Sequence, residues 1–320
     1  MKSVVDHAPC DPPYLPDRRV FPLAATEPTH WIVQDTPFVA ALRVDERQRL
    51  VDWHSQRLSQ HPFNGRIVRL DGIEPWSFST IEFYDFLTTN LTAFPGNWPR
   101  LSWRQIPAAW WHWWSVFPLI QRLRDAIGIP QSGDEVLMNP RLANPLAISL
   151  LIQDVTGRWG IVARSRHVAV SSGQWGATVA GTVTPDDLSQ FPEHPIFVCA
   201  RREAQEELNL LIGPLTWDGL IISRQKMQPV ALVSAHLARR WEDIAPLIAQ
   251  ARDWSFENTT LYAIPPEHIP SVIRQAPLTD AAAYQLLLHQ SATSRLGRRI
   301  HLNRYRIPVA SFEHNPVHPQ

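Results

Sequence analysis

The stretch CARREAQEELNLLIG, residues 199–213, places three carboxylates close together in a short run with apolar flanks. Glu203, Glu206 and Glu207 stand at positions i, i+3 and i+4, which lie on one side of an α-helix with roughly 5–6 Å between Cβ atoms. Three like charges at that spacing repel one another unless a cation lies among them. The pattern indicates either a divalent-cation site or a solvated helix face on which arginines pair with the acids.

Clustered carboxylates supply the hard oxygen ligands that suit Mg²⁺ or Mn²⁺. Arg202 precedes Glu203 directly and stands four residues before Glu206, so its guanidinium can pair with a neighbouring carboxylate and orient it. A divalent ion held there would polarise a phosphoryl oxygen and lower the pKa of a bound water. From these residues alone, both interpretations stay open.

The composition is that of a folded, charge-balanced protein. The 320 residues are 44% hydrophobic, which is enough for one large domain or two smaller ones. Thirty basic and thirty acidic residues give a formal net charge of zero, so no general attraction to nucleic acid or to anionic membranes is expected. Lys2 and Lys226 are the only lysines, so a phosphate clamp is expected to use arginine.

Cysteine content and hydropathy favour a cytoplasmic location. Cys10 and Cys199 are the only cysteines, a number that fits a reducing compartment better than a disulfide framework. The start of the sequence lacks the apolar core of a signal peptide. The most apolar long run, 110–120, is too short to span a membrane.

Strands and helices alternate over residues 140–290. The apolar runs 145–154 and 158–165 are joined by VTG and predict a β-hairpin, and 173–183 is a third extended stretch. A helix over about 195–210 carries the glutamates. Further strands are predicted at 215–224, 228–238 and 259–265, and further helices at 239–251, 265–275 and 278–290. This layer order predicts an α/β sandwich.

Residues 1–138 form a predicted N-terminal α/β extension, and residues 293–320 a C-terminal tail. Within the extension we expect helices at 44–62, 81–90 and 108–127 and strands at 65–74 and 75–83. The last of these helices belongs to a tryptophan-rich segment, with Trp103, Trp110, Trp111, Trp113 and Trp114. Aromatic faces of this kind favour burial between layers, the alternative being an exposed surface that binds a protein partner or a second copy of the chain.

The segment REAQEELNL, 202–210, resembles the core of the Nudix box, whose pattern is R-E-apolar-x-E-E-x-Gly-apolar. The matching positions are Arg202, Glu203, Ala204, Glu206, Glu207 and Leu210. Upstream, AGTV at 180–183 resembles the strand and glycine that open that box. The resemblance covers about residues 140–290 and implies a Nudix-type α/β/α sandwich over 139–292, preceded by the N-terminal α/β extension.

Two positions depart from the family pattern. Asn209 stands where the box has glycine, and asparagine tolerates a left-handed backbone better than most residues. The insert 184–198 lengthens the distance from the opening glycine to Arg202, so the first acidic residue of the box is out of register. Glu193, Asp186 and Asp187 all remain candidates for its structural role.

The resemblance implies metal-dependent hydrolysis of a pyrophosphate bond with Mg²⁺ (or Mn²⁺). Glu206 and Glu207 would be the principal metal ligands, Glu203 a further ligand or the base for the attacking water, and Arg202 an orienting group. The backbone carbonyl of Ala180, or of Gly181, would complete the shell. Glu257 precedes a late strand and is either a further ligand or an ordinary loop carboxylate.

Substrate contacts are expected near the same strands. Arg164 and Arg166 lie on one side of an extended segment, where they suit a diphosphate, or else a solvated strand end. Trp175 is expected either to stack on a base or sugar or to pack in the core.

The order of short segments between 60 and 260 is similar to Nudix proteins that hydrolyse UDP-sugars. It favours a nucleoside diphosphate linked to a group X, with nucleotide sugars first. It also places Arg69, Tyr84 and Asn90 as candidates near the pocket, although structural roles are favoured for them. The rival hypothesis is a catalytically weak Nudix-like module for nucleotide sensing or protein interaction.

Overall fold

A computed structural model describes residues 20–27, 29–35, 38, 42–58, 64–94, 106–165, 168, 170–189, 192–290 and 300–309. In the helix over 106–127, side chains are described from residue 116 onward. Among the helices in these ranges, none combines the length and the apolar character that crossing a bilayer requires.

The described chain contains strands and helices in alternation. The strands are β1 (Val20–Leu23), β2 (Trp31–Val33), β3 (Arg66–Ile73), β4 (Trp76–Glu82), β5 (Ala147–Gln153), β6 (Trp159–Arg164), β7 (Trp175–Ala177), β8 (Val179–Thr182), β9 (Leu215–Ser223), β10 (Gln228–His236), β11 (Asn258–Ile264) and β12 (Arg306–Ile307). The helices are α1 (Val44–Leu58), α2 (Phe83–Thr88), α3 (Asn90–Ala93), α4 (Ile106–Ile127), α5 (Gly133–Leu137), α6 (Pro185–Leu188), α7 (Pro195–Leu208), α8 (Trp241–Ile248), α9 (Trp254–Glu257), α10 (Ile269–Gln275) and α11 (Asp280–Leu288).

The larger sheet is mixed and has the order β1-β9-β10-β5-β6-β11-β12. Strands β10 and β5 pair in parallel, while the other pairs along this order are antiparallel. The predicted hairpin of β5 and β6 forms at its turn, where Gln153 pairs with Trp159, and the two strands then separate. The predicted third stretch divides there into β7, which pairs with β6, and β8, which pairs with β5.

Thr178, between β7 and β8, supplies hydrogen bonds to β5 and β6 where these two strands separate. Its hydroxyl donates to the Gly160 carbonyl at 2.6 Å and accepts from the Ile152 amide at 2.9 Å. A buried threonine thus replaces the ladder hydrogen bonds that the diverging backbones lose.

Helices cover both faces of this sheet, which confirms the predicted α/β/α sandwich. On one face, Ala200 and Ala204 of α7 share a buried cluster with Ile148 of β5. On the other, Val272 of α10 and Leu286 of α11 pack with strand residues of a second cluster. The small side chains on α7 let the helix lie close to the strands.

The N-terminal region is an additional α/β unit, as expected, and it packs on the same core. Its sheet has the order β2-β4-β3, with β2 parallel and β3 antiparallel to β4. Val68 of β3 and Phe78 of β4 belong to the same buried cluster as α7. Strand β1 pairs with β9 in the larger sheet. The boundary at residue 138 stays a prediction.

Two expectations concern the ends of these regions. Arg306 and Ile307, which were expected to lie in the C-terminal tail, form β12 and pair with β11. In α4, Val116 and Leu119 pack against Leu50 of α1. The five tryptophans of the tryptophan-rich segment lie outside the residues whose side chains are described, so their burial stays a prediction.

The insert 184–198 connects α7 to the small sheet through His194. The imidazole Nδ1 of His194 accepts a hydrogen bond from the Ile196 amide at 3.2 Å and so caps α7. The ring also contacts Trp31, Trp76 and Phe78 edge-on, with ring centroids 5.0, 5.7 and 5.8 Å away. Burial among these aromatics lowers the pKa of His194 to about 3, so the ring stays neutral in the folded protein.

Acidification is therefore expected to destabilise the wild type through His194. Because the unfolded chain protonates this ring below its ordinary pKa of 6.5 and the folded chain does so only near 3, stability falls as the pH drops between these values. The expected loss between pH 6.5 and pH 5 is about 2 kcal/mol. Urea unfolding of wild type and His194→Asn at both pH values measures it. An equally steep pH dependence in the variant would contradict this assignment.

Candidate active site

Helix α7 carries the three glutamates and ends at Leu208, with Asn209 as its C-cap. Asn209 has φ 55° and ψ 38°, the left-handed conformation in which helices commonly end. Ala204 and Leu208 are buried on the sheet side, and Glu207 is only 2% exposed. The helix therefore carries one of its three glutamates into the protein interior.

Arg202 is held by an acid from the insert. Its Nε and Nη2 donate to the two carboxylate oxygens of Asp187 at 3.0 and 2.9 Å, and Nη2 also donates to the Thr182 carbonyl at 3.2 Å. Asp187 is 1% exposed and also accepts from the amide and hydroxyl of Thr184. Of the three candidates for the structural acid, Asp187 is the one that contacts Arg202, whereas Glu193 pairs with Arg201 and Asp186 is exposed.

The free side of the same guanidinium joins two glutamates. Arg202 Nη1 donates to Glu203 Oε1 at 2.9 Å and to Glu206 Oε2 at 3.1 Å. Arg252 approaches the other oxygen of Glu206 at 3.0 Å. Arg202 therefore orients both carboxylates, as its spacing in the sequence predicted.

Glu203 lies directly on the backbone of β8. A Cβ atom added at Gly181 would come within 2.1 Å of the Glu203 carboxyl carbon, so glycine is needed for this approach. Burial raises the pKa of Glu203 to about 7. Arg202 opposes this rise, whereas the negative charges of Glu206 and Glu257 add to it.

Glu207 is held from two sides. Its Oε1 accepts from the Ala180 amide at 3.2 Å, and its Oε2 accepts from Asn258 Nδ2 at 3.0 Å. Burial raises the pKa of Glu207 to about 8, with Arg164 opposing the rise and Glu203 adding to it. Asn258 follows Glu257 directly, and the sequence alone gave no signal for its role.

The expected metal ligand Glu257 and the expected phosphate contact Arg164 lie next to each other. Arg164 Nη2 donates to Glu257 Oε2 at 3.0 Å, and the negative charge of Glu257 acts on both Glu203 and Glu207. The structure thus brings Glu203, Glu206, Glu207 and Glu257 into one neighbourhood beside Ala180 of β8.

Of the two other candidate contacts, only Trp175 lies within the described residues. Arg166 lies outside the described residues. Trp175 stacks face to face on Tyr262, with ring centroids 4.0 Å apart and 17° between the planes. The backbone of Trp175 is also bonded to Pro277 and Thr279, so its ring is engaged within the protein.

A cavity borders β8 on the side away from α7. Its lining includes Ala180 and Thr182 of β8, Arg164 of β6, Lys226 of the β9–β10 turn, and Phe83 and Phe86 of α2. A Cβ at Gly181 would point to Glu203, and strand side chains alternate, so Ala180 and Thr182 face the other way. None of the four glutamates lines the cavity. Arg164 is shared, since it lines the cavity and also pairs with Glu257.

The donor set fits a hard divalent cation. The oxygens available are four carboxylates and the carbonyl groups of β8, which are ligands that Mg²⁺ and Mn²⁺ prefer. Within the described ranges, no three acidic, histidine or cysteine side chains already stand close enough to one another to bind one ion. The reason is visible in the contacts, because arginines hold the carboxylates of Glu203, Glu206 and Glu257.

Comparison with known proteins finds structural likeness only. No protein-family model matches the chain, and no curated protein matches its sequence. The chain is similar to a MutT protein from Methanosarcina mazei Go1, with 17% identity, a TM-score of 0.35, and coverage of 45% of this chain and 91% of that one. It is also similar to the Nudix domain of Shewanella oneidensis NrtR in complex with ADP-ribose, with 12% identity, a TM-score of 0.33 and coverage of 46% and 86%.

A third similar structure is the Nudix hydrolase RenU from M. smegmatis, with 13% identity, a TM-score of 0.30 and coverage of 45% and 81%. These likenesses cover about half of the chain and leave the N-terminal α/β region unmatched. Likenesses with TM-scores this low do not bear on function.

Replacing Asp187 with asparagine should destabilise the protein. The change leaves the Arg202 guanidinium without its buried charged partner. The free energy of unfolding should therefore fall by about 2–4 kcal/mol, which is at the low end for a broken buried ion pair because Arg202 is partly exposed. Urea unfolding measures the loss. Asp186→Asn is the matched control, since Asp186 is the exposed neighbour. Equal stabilities of the two variants would contradict the role of Asp187.

Gly181→Ala should displace the Glu203 carboxyl while the fold is retained. The new methyl group meets the end of a flexible side chain, which can move. Thermal unfolding with increasing Mg²⁺ should show stabilisation of the wild type and at least threefold weaker apparent affinity in the variant. Gly213→Ala is the control, because a Cβ there meets nothing within 4 Å. An unchanged Mg²⁺ response in Gly181→Ala would show that this close approach is not needed.

Proposed function

We propose that this protein hydrolyses the pyrophosphate bond of a nucleoside diphosphate linked to a group X, in a reaction that depends on Mg²⁺ (or Mn²⁺). The observation that supports it most strongly is the gathering of Glu203, Glu206, Glu207 and Glu257 beside β8. Burial raises the pKa of Glu203 and of Glu207 toward or above neutrality. Buried carboxylates such as those of Glu203 and Glu207 are costly in their charged form unless a cation compensates them.

Glu203, Glu206 and Glu207 would hold the ion, with the Ala180 carbonyl and Glu257 as further ligands. When bound, the ion polarises a phosphoryl oxygen and lowers the pKa of a bound water. Glu206 would bind the ion through the oxygen that pairs with Arg252, while its other oxygen stays on Arg202. Release from Arg252 is inexpensive, because Arg252 is largely exposed and its ion pair is a surface one.

The protein's own groups position and stabilise the reactants. Asp187 fixes Arg202, and Arg202 fixes Glu203 and Glu206, so the carboxylates keep a defined orientation. Glu203 accepts the proton of the attacking water when it is not itself a ligand. Arg164 opposes the negative charge that develops on the departing phosphate.

The organic group of the substrate would lie in the cavity and its phosphates beside Arg164, which lines the cavity and also pairs with Glu257. The cavity lining combines Phe83 and Phe86 with polar groups of β8 and with two cationic side chains, which suits an organic group joined to phosphates. The preference for a nucleotide sugar follows from the similarity in segment order to the UDP-sugar-hydrolysing branch.

A second candidate is a nucleotide-binding module with little or no hydrolysis. The arginine contacts favour it, since Arg202 and Arg252 already neutralise Glu206 without a metal. In this case the carboxylates would keep their arginine partners when the ligand binds.

A panel of nucleoside diphosphate compounds with Mg²⁺ separates the two candidates. We expect the wild type to release a nucleoside monophosphate from at least one compound, and the double variant Glu206→Gln, Glu207→Gln to lose at least a hundredfold in kcat/KM. Chelation with EDTA should abolish the wild-type reaction.

Glu193→Gln is the matched control for this experiment, because Glu193 pairs with Arg201 rather than with the cluster. Its kcat/KM should stay within about twofold of the wild type, since an exposed ion pair contributes little. Nucleotide binding without turnover on any compound would favour the binding module.

A further inference from the structure

The turn between β9 and β10 presents Lys226 on a backbone that other elements hold in place. The Lys226 amide donates to the Ser223 carbonyl at 3.3 Å, and Met227 follows with φ 45°, in the left-handed region. A non-glycine residue in this region costs free energy. The turn therefore depends on contacts from outside itself.

Two buried side chains supply those contacts. Asp280, at the start of α11, accepts from the Ser223 hydroxyl at 2.9 Å and from the Gln225 amide at 3.3 Å. Asn90, at the start of α3, donates from Nδ2 to the Met227 carbonyl at 2.6 Å. The backbone around Lys226 is thus held from two sides, by Asp280 of α11 and by Asn90 of the N-terminal region.

The ammonium group of Lys226 has no corresponding support. Across the part of the chain that the structure describes, it has no hydrogen bond or ion pair, although the residue is half-buried and lines the cavity beside β8. Burial lowers the pKa of Lys226 to about 8, the positive charge of Arg164 lowers it further, and Asp280 opposes this. A cation kept in such a place is costly unless an anion joins it.

Arg164 is a second group in the same cavity with an unused donor. Its Nη2 is bonded to Glu257, but its Nε is buried and has no partner among the described residues. Arg164 therefore extends from the glutamate cluster to the cavity, and Lys226 lines the same cavity near enough for the charge of Arg164 to act on it. The two cations can contact adjacent oxygens of one anionic group.

We propose that Lys226 and Arg164 together bind the phosphate of a diphosphate substrate that lies farther from the glutamates. Arg164 contacts the phosphate by its Nε, and Lys226 contributes a point charge from the turn. Lys226 is then a substrate-binding residue that favours diphosphates over monophosphates. This inference deepens the proposed function and rests on it, because it takes the ligand to be a diphosphate.

Methylenediphosphonate, a diphosphate analogue that cannot be hydrolysed at its bridge, tests the inference without turnover. Calorimetric titration, with and without Mg²⁺, should give a Kd at least tenfold higher for Lys226→Met than for the wild type. Lys226→Arg should restore the Kd to within about threefold. Inorganic phosphate should bind more weakly than the analogue, because it has only one phosphate, and its binding should also weaken in Lys226→Met.

Arg224→Met is the matched control, since it removes a positive charge from the same turn. Arg224 is exposed, lies over the Phe21 ring and does not line the cavity. The Kd of Arg224→Met for methylenediphosphonate should remain within about twofold of the wild-type value. Equal effects of Arg224→Met and Lys226→Met, no effect of Lys226→Met, or no binding by the wild type would each overturn the inference.

Hydrolysis measured on the same variants separates this inference from the proposed function. If no compound is hydrolysed but analogue binding depends on Lys226, the proposed function fails and the phosphate contact stands. If a compound is hydrolysed, Lys226→Met should raise KM at least fivefold and change kcat less. Hydrolysis with an unchanged KM would overturn the role of Lys226 and leave the proposed function intact.

Discussion

The paired hydrogen bonds between Arg202 and Asp187 are the constraint on which the site depends. The carboxylate is buried, so the guanidinium cannot leave it without exposing an uncompensated charge to a low-dielectric interior. With that side fixed, the remaining nitrogen of Arg202 faces Glu203 and Glu206. One ion pair between the insert and α7 thus sets the geometry of two carboxylates, and it also places α7 against β8 through the Thr182 carbonyl.

Much of the fold could be predicted from periodicity. The strands at 147–153, 159–164, 215–223 and 228–236 and helix α7 follow apolar patterns that a buried sheet and its covering helix require. The division of 173–183 into β7 and β8 could not be predicted, because it depends on the Thr178 hydroxyl replacing hydrogen bonds of two strands distant in sequence. The pairing of β12 was missed for a different reason, since two residues in a polar segment carry no periodic signal.

The part of the site that lies on one helix could be predicted from the sequence, but the residues that come from distant segments could not. Arg202 and the three glutamates lie within six residues, so helical spacing alone places them together. The choice of Asp187 over Glu193 depends on how the insert folds, which spacing does not determine. Asn258, Arg252 and Lys226 come from separate elements, and only the packing of those elements brings them near β8 or its cavity.

Asn90 has a consequence for any truncation of the chain. Its amide side chain is fully buried, donates to the Met227 carbonyl and accepts from the Ala143 amide, so it joins the first third of the protein to two distant backbone segments. Deleting that first third would leave both backbone groups without a partner and would uncover the part of the shared apolar core that Val68 and Phe78 cover. The two regions are therefore joined by buried hydrogen bonds as well as by one apolar core.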